Sequence, residues 1–487
     1  MRVAAFGHYG ADGSPVYDLC MSKTSVSRPG LPIRVIRRAA HARSRFNAVK
    51  RHQGTGAAFY SLMSHIIQAM TILAARSLRR IGRLQDNVAL LLLPNLFMRH
   101  DVLFIGYLEA GLGLGESLRG LVRSITATGL PFALYPFRVG VETRLIGGFM
   151  EDRYDLKHRH EVNVIEVPAD QLPGLFREIG RWKMGHSYNI LRTYWELPKA
   201  PAEWAPMLKG IDEIWAPNEF VSNAFREIFD GPIKIVPPCV EIETETAFDR
   251  KQLGMDPDKF YFMFSFDYFS YPDRKNPLGV VRAFQAAFPT RGEGVGLVIK
   301  STSATDQYLE IKSAILEAAR DDQRIKVIDR TLPRDEMLSL IRQSDCYISL
   351  HRSEGFGLGM AEAMAFGKPV IGTDYSGSRE FLSDRTGFPV SFTLRPVQPD
   401  EYVFAEGQSW AEPDDASALK AMQRVFYDEQ ERQIRAAAGK AFVETHYGRE
   451  NIGRIAARHL RDVLAARACA GNLAVPAPAP RPSTHYR

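Results

Sequence analysis

From residue 101 onward the chain alternates short apolar runs with segments whose apolar residues recur at three- and four-residue spacing. The first run, DVLFIGY at 101–107, ends in glycine and tyrosine. LEAGLGLGESLRGLVRSITATG then reads as a Gly-rich turn opening into an amphipathic helix, and LPFALYP as the next strand. A strand, a glycine loop, a helix and a strand in that order begin a parallel α/β domain. The rhythm recurs in IDEIWAPNEFVSNAFREIF and IKIVPPCVE, where Pro237, Pro238 and the acidic residues behind them mark a linker. A second series follows: KFYFMFSFD, GVGLVIKS, IKVIDRT, CYISLH and KPVIGTD, each bounded by a helical pattern or a turn. The pattern predicts two doubly wound α/β domains, at 101–240 and 241–435, facing a cleft. Helical segments at 436–470 and a Pro/Ala-rich tail at 471–487, whose composition predicts no packed core, follow them.

Residues 1–100 keep no such rhythm and form an extension whose fold the pattern does not define. Charge sets it apart. The formal total is +6, but residues 1–100 carry 15 Lys and Arg against three Asp and no Glu, a net +12, which leaves −6 for the rest. A basic arm on a mildly acidic body suits an anionic surface, phospholipid or nucleic acid, and the plainer reading is an Arg-rich extension with no partner. The arm lacks the aromatic interleaving of a single-strand binder and the spacing of a finger motif, so no nucleic-acid partner is expected. Within it, Leu62, Ile66, Met70 and Leu73 share a helical face that Ser77 interrupts and Ile81 resumes. That face either packs on the body or lies on an anionic membrane leaflet.

The 45% of hydrophobic residues is enough for several cores in a chain of 487. Cys20, Cys239, Cys346 and Cys469 show no paired spacing, which fits a reducing compartment. The most apolar run, VALLLLPNLFM, is broken by Pro94 and Asn95 and falls short of the roughly 20 residues a spanning helix needs. A cytoplasmic protein, peripheral on the inner face of the membrane if the arm binds lipid, is the expectation.

The chemistry concentrates in HRSEGFGLGMAEAMAFGKPVIGTD at 351–374. CYISLH is a buried strand, GLGMAEAMAFG the helix after it with Gly367 as its stop, and KPVIGTD the next strand. Glu354 then lies in the loop at the strand's carboxyl end. Gly355, Gly357 and Gly359 bring backbone N–H groups to the helix's amino end, where free donors and the helix dipole favour a phosphate. Glu362 follows about one turn in. An acid near a helix start can be dipole complementarity alone; the pair, flanking bare backbone, suits two vicinal diols on either side of a diphosphate.

The spacing from Glu354 to Glu362, with EGFG and EAMAFGKPVI, resembles the carboxy-terminal signature of retaining nucleotide-sugar glycosyltransferases of the GT-B fold, glycosyltransferase family 4. The likeness runs over roughly 101–464 and includes TLPRDEMLSLIRQSDCYISLHRSEGFG before the first acid and FGKPVIGTDYSGSREFL after the second. It implies that Glu362 binds the ribose hydroxyls, Glu354 the donor-sugar hydroxyls, and the amides of Gly355, Phe356 and Gly357 the sugar and phosphate. DRKNPLGVVRAF resembles the family's diphosphate-gripping segment, with Lys275 in place of its lysine. The arginine usually found some residues earlier is missing from FDYFSYPD, and Arg274 is the adjacent substitute; a solvated turn after Pro272 is the alternative for both cations. The partners implied are a nucleoside diphosphate sugar and a glycan or lipid-linked acceptor, with hexose transfer in bacterial polysaccharide synthesis as the function.

Negative charge grows on the departing diphosphate and must be met by a metal or by fixed cations and a helix end. Asp256-Pro257-Asp258 is the only Asp-x-Asp, and its proline turn suits a helix cap better than a metal, so no metal or cofactor is expected. In the amino-terminal half, the resemblance implies that Gly113 and Gly115 of the GLGLGES loop lie near the donor phosphate and the acceptor. A dinucleotide site would want an acid at the end of the next strand, where FALYPFR ends in Arg138. Many family members carry a catalytic histidine where this chain has Trp195 and Glu196. Glu196 either contacts or deprotonates the acceptor, or belongs to a packed Trp-Glu-Leu-Pro corner, and His186 nearby reads as structural or exposed. A sugar-nucleotide epimerase of GT-B-like fold and a non-enzymatic sugar-nucleotide-binding protein are the alternatives.

Overall fold

The computed structural model describes residues 98–141, 145–292, 294–302 and 306–473. The chain divides into two units, Met1–Leu93 and Pro94–Arg487, and every described residue belongs to the second. The basic arm up to residue 97, with its amphipathic face, and the tail from residue 474 lie outside the described residues.

Two six-stranded sheets organise this unit. β1 (Met98–Gly106), β2 (Phe132–Pro136), β3 (Arg159–Glu166), β4 (Tyr188–Arg192), β5 (Glu213–Ala216) and β6 (Ile233–Ile235) form the first, in the order 2-1-3-4-5-6. β7 (Phe260–Ser265), β8 (Val295–Ser301), β9 (Ile325–Asp329), β10 (Cys346–Ser349), β11 (Val370–Thr373) and β12 (Phe388–Val390) form the second, in the order 12-11-10-7-8-9. Every neighbouring pair is parallel.

The continuous apolar character of strands such as β1 and β7 follows from burial on both faces. Val102 and Phe104 of β1 enter one hydrophobic core while Leu103 and Ile105 enter another; in β7, Met263 points one way and Phe262 and Phe264 the other. The connecting helices are α1 (Gly113–Thr126), α2 (Leu172–Ile179), α3 (Glu219–Phe225), α4 (Pro272–Lys275), α5 (Pro277–Ala287), α6 (Leu309–Asp321), α7 (Arg334–Gln343), α8 (Leu358–Ala365), α9 (Asp415–Tyr427), α10 (Glu429–Tyr447) and α11 (Arg449–Leu473). The two doubly wound domains expected from the pattern are present. Strand order reverses between β1 and β3 in one sheet and between β7 and β10 in the other, and ligands of open α/β sheets bind outside the carboxyl ends of strands at such points. Gly106, Glu166, Ser265 and Ser349 are those ends.

Three features depart from the sequence pattern. The helical segments at the end divide their loyalty: α10 packs on the second domain, where Gly439 approaches the Thr386 carbonyl so closely that a Cβ would lie 2.6 Å from it, and α11 returns to the first. A Cβ at Gly453 of α11 would lie 2.5 Å from the Ser124 carbonyl of α1, and Arg461 donates to the Thr128 carbonyl at 2.8 Å. Second, β13 (Phe392–Pro396) and β14 (Ser409–Pro413) pair as an antiparallel hairpin. Third, Asp256-Pro257-Asp258 caps no helix: the Asp258 amide donates to the Asp256 carboxylate at 3.1 Å in a turn that leads into β7. A carboxylate folded back on its own loop closes the turn without a helix behind it.

Candidate active site

The loop after β10 carries Glu354, the first acid of the motif, and α8 behind it carries Glu362, the second. α8 starts from Gly357, whose φ of +95° is a left-handed conformation suited to glycine, and no side chain caps it. The first amides of α8 therefore keep donors that no capping side chain occupies. Close backbone approach holds the loop in place. The Gly377 amide donates to the Glu354 carbonyl at 2.9 Å, and a Cβ at Gly377 would lie 2.3 Å from the Gly355 carbonyl. Asn218, the N-cap of α3 in the first domain, donates to that same carbonyl at 2.6 Å. Phe356 turns its ring into the core against Phe381 and Tyr447, so it offers only backbone to a ligand.

Glu354 and Glu362 are 8% and 3% exposed. A buried carboxylate requires counter-charge or neutralisation. Glu354 is bound by the Lys275 ammonium and by Arg274 Nη1, the latter at 3.1 Å. Glu362 Oε1 accepts from Arg334 Nη2 at 2.6 Å. Burial alone would raise the Glu354 carboxyl, but Lys275 and Arg274 outweigh it and hold the group down to about 2. Burial dominates at Glu362 and pushes its carboxyl up, with Arg334 pulling against it and Glu116 adding to it. Burial pushes the Lys275 ammonium down, offset in part by Glu354. His351, fully buried, is driven down to about 4 by burial, and its ring nitrogens are engaged by Ser349 and Ser378. It is neutral at physiological pH and braces the loop.

Arg274 and Lys275 sit on α4, between two residues of positive φ, Tyr271 at +59° and Asn276 at +53°. Asn276 caps α5 through the Gly279 amide at 3.2 Å and donates to the Leu350 carbonyl at 3.0 Å, which fixes α4 against the β10 loop. The two cations are not a solvated turn. Arg274 is 3% exposed and donates to the Ser353 carbonyl at 2.7 Å and the Ser270 carbonyl at 3.2 Å, so most of its donors serve the scaffold. The Lys275 side chain retains 17% exposure against 4% for that of Arg274. Of the two, Lys275 is the cation with room to meet a ligand.

The first domain supplies the opposite wall. A Cβ at Gly115 would lie 2.5 Å from the Ala110 carbonyl and 2.6 Å from that of Tyr107, so the turn between β1 and α1 closes only on glycine; at Gly113 a Cβ would meet nothing within 4 Å. Glu166 and Arg192, at the ends of β3 and β4, form a buried ion pair, and Arg192 Nη1 donates to Ser117 Oγ at 2.7 Å. Ser117 is also 2.7 Å from the Tyr194 hydroxyl, and Tyr194 packs beside Gly355. Glu196 accepts from the Tyr402 hydroxyl at 2.8 Å and lies 3.7 Å from Arg274 Nη2. Trp195 is buried against Trp204, at 4.8 Å between ring centroids, and Tyr402, at 5.7 Å. His186 is exposed in the turn before β4.

Glu354, Lys275, Arg274 and Glu196 thus form one cluster across the two domains, and Glu362 belongs to a second with Arg334 and Glu116. Sequence reasoning passed over Arg334, although it stands in the PRDEM segment, and over Glu116, although it directly follows Gly115. It also missed Tyr402, which no motif marks. The hairpin also touches the site: Arg352 Nε donates to Glu412 at 2.7 Å, the Ala411 amide donates to the Arg352 carbonyl at 3.0 Å, and Trp410 is fully buried. The hairpin thereby fastens the β10 loop and, through Tyr402 and the Gln408 bond to the Lys199 carbonyl at 2.7 Å, reaches the first domain.

Residues 247–398 match the family described as glycosyl transferases group 1. Over 303 residues the chain is 31% identical to D-inositol 3-phosphate glycosyltransferase of Arthrobacter sp. strain FB24, covering 58% of this chain and 69% of that one. The protein of the same name from Pseudarthrobacter chlorophenolicus is 30% identical over 164 residues, 32% of this chain and only 38% of the relative's own length. Among solved structures, sucrose-phosphate synthase from Thermosynechococcus elongatus superposes with a TM-score of 0.57 at 14% identity, covering 76% of this chain and 100% of that one. Anabaena HepE in complex with UDP and glucose gives 0.52 at 13%, covering 74% and 99%. At such identities the likeness to these two structures is one of fold.

Proposed function

The chain belongs to the glycosyl transferases of group 1, of GT-B fold, and from that premise we propose a retaining transferase of glycosyltransferase family 4 that moves a hexose from a nucleoside diphosphate sugar to a glycan or lipid-linked acceptor in bacterial polysaccharide synthesis. One observation carries the reading: two buried carboxylates flank an uncapped helix start at the β7/β10 switch point, with Lys275 against the first of them. Support comes also from the Anabaena HepE structure, described with UDP and glucose bound.

In this reading Glu362 accepts hydrogen bonds from the ribose diol and Glu354 from the donor-sugar hydroxyls. The diphosphate lies over the first amides of α8 and against Lys275. Cleavage of the anomeric C–O bond moves the bonding electrons onto the diphosphate, and Lys275 with the α8 amides stabilises that charge where it develops. Arg274 holds Glu354 and the Ser353 carbonyl in place. Glu196 is tied to Tyr402 and Arg274, and its proposed service to the acceptor requires the oxygen facing Arg274, since the other is engaged by Tyr402.

The test is a panel of nucleotide sugars assayed for donor hydrolysis and for thermal stabilisation, because a ligand bound to the native state raises its unfolding temperature by mass action. One donor that stabilises the protein and is hydrolysed fits the reading. Interconversion of the free nucleotide sugar without transfer would make the protein an epimerase. An acceptor product of inverted anomeric configuration would refute retention. Association with an anionic membrane through residues 1–100 is a separate proposal, resting on the net +12 of that segment. Equal recovery of the full chain and a chain starting at Arg99 in the supernatant of anionic liposomes at low salt would refute it.

A further inference from the structure

α8 is buried from Met360 to Ala365, and Glu362 is the only charged side chain within it. A carboxylate in that position stays ionised only with a cation in contact. Arg334 is that cation. It is the first residue of α7, directly after Pro333, and it makes three contacts: Nη2 lies 2.6 Å from Glu362 Oε1 and donates to the Glu241 carbonyl at 3.1 Å, and Nε lies 3.7 Å from Glu116 Oε1 of the first domain. Glu116 is itself fixed by Arg119 and Arg123, each at 2.8 Å. The Arg334 side chain keeps 31% exposure. Glu362 Oε2 receives no hydrogen bond among the described residues.

We propose that Arg334 is a positioning residue of the donor site: anchored by Glu116 and the Glu241 carbonyl, it engages Oε1 of Glu362 and leaves Oε2, ionised and fixed in direction, for the ligand's vicinal diol. The inference rests on the assignment of Glu362 to the ribose. It assigns to Arg334 no contact with the ligand of its own. The charged and titratable groups acting on Glu362 are Arg334 from α7 and Glu116 from α1, with the Tyr347 phenol of β10 acting in return. Burial and Glu116 both favour the protonated acid, and Arg334 alone opposes them. A protonated Glu362 has lost an acceptor and offers an O–H, a poor match for a diol that must donate.

The experiment measures binding of UDP, GDP and ADP in turn to the full chain by calorimetry between pH 6 and 9, and repeats it for the best of the three with Arg334→Gln, Arg334→Lys, Glu116→Gln and Glu362→Gln. Wild type should lose less binding at the acid end than Arg334→Gln does, because Arg334 opposes the protonation that burial and Glu116 favour. Arg334→Gln should bind about tenfold more weakly at the acid end for each pH unit by which the freed acid's pKa exceeds the pH, and recover as Glu362 ionises toward pH 9. Arg334→Lys should behave nearly as wild type, and Glu116→Gln should weaken binding less than Arg334→Gln. Glu362→Gln should be weak at every pH. If Glu362→Gln binds as wild type does, or if wild type binds none of the three nucleotides, the ribose assignment itself fails. If Glu362→Gln is weak but Arg334→Gln is unchanged, or equally weak at every pH, Arg334 is not the positioning group. Should Arg334→Gln fail to fold, Arg334→Lys decides: a soluble lysine variant that shares the weakness of Glu362→Gln at every pH overturns the proposal.

Discussion

The ion cluster at Glu354 permits a quantitative test by a double-mutant cycle on Lys275→Met and Glu354→Gln. The Glu354 carboxyl is held down to about 2 from its ordinary 4.5. At about 1.4 kcal/mol per pH unit, that difference corresponds to about 3 kcal/mol of native-state preference for the ionised form. Burial opposes the cations, so their combined pull exceeds that net figure; Lys275 leads Arg274 in it, and the coupling to Lys275 is expected to be at least about 2 kcal/mol. Lys275→Met leaves Glu354 with Arg274 as its remaining cation, Glu354→Gln leaves Lys275 buried without its carboxylate, and the double replaces both partners by groups of similar size. Both singles should lower the unfolding midpoint, by roughly 4 to 8 °C at about 2 to 4 °C per kcal/mol, and the double should fall no further than the worse single. Because the Glu354 pKa is depressed, its contribution is fully present above about pH 4.5 and is lost as pH falls through about 2; near pH 3 about half of the coupling should remain. The assay is thermal unfolding followed by tryptophan fluorescence at pH 7 and pH 3. Singles whose effects simply add at pH 7 would mean that Lys275 and Glu354 are neighbours without energetic coupling, and the electrostatic account of the cluster would be wrong.

Three further outcomes follow from the same geometry. Glu362→Ala should weaken nucleotide-sugar binding by about 1.5 to 3 kcal/mol through loss of a charged acceptor, while Lys275→Ala should lower kcat more than it raises KM; steady-state kinetics with the identified donor separate the two, and an unchanged KM for Glu362→Ala contradicts the ribose role. Activity should persist in EDTA, since Lys275 and the α8 amides meet the leaving-group charge, and a strict need for added Mg²⁺ or Mn²⁺ would overturn that account. Gly377→Ala should destabilise the motif loop by about 1 to 3 kcal/mol, because the new Cβ would sit 2.3 Å from the Gly355 carbonyl and 2.6 Å from Asn218 Nδ2; a midpoint equal to wild type would show that the two domains do not close on this loop as described.

The alternation of apolar runs and helical segments carried much of the fold because strands such as β1, β7 and β8 are buried on both faces and read as plain apolar runs; β3, with its buried Arg159, His160, Asn163 and Glu166, does not, and the pattern passed over it. The elements it did not reveal are those whose reasons lie elsewhere in the chain. The hairpin of β13 and β14 has exposed positions such as Leu394, at 60%, so its strands lack the uniform burial that marked the others. The return of α11 to the first sheet depends on Gly453 meeting Ser124 more than 300 residues earlier, a fit that no local window contains. Tyr402 has meaning only beside Glu196 and Trp195, which lie in the other domain.

The same limit separates the two halves of the candidate site. Glu354, Lys275 and the glycines were legible because each belongs to a local pattern in which a backbone requirement and a charge coincide. Arg334 was not, because an arginine at the start of a helix reads from sequence as an unfavourable cation near the positive end of the dipole. Its placement becomes intelligible only when α8 is seen to bury a carboxylate at a distance of 2.6 Å and α1 to present a second one from the opposite domain. A residue that violates a local rule and is satisfied only by long-range partners is where function is to be sought. Arg334 meets that description within the motif region: its local cost is offset by two acids, one of which, Glu362, is the group to which the donor's ribose is assigned.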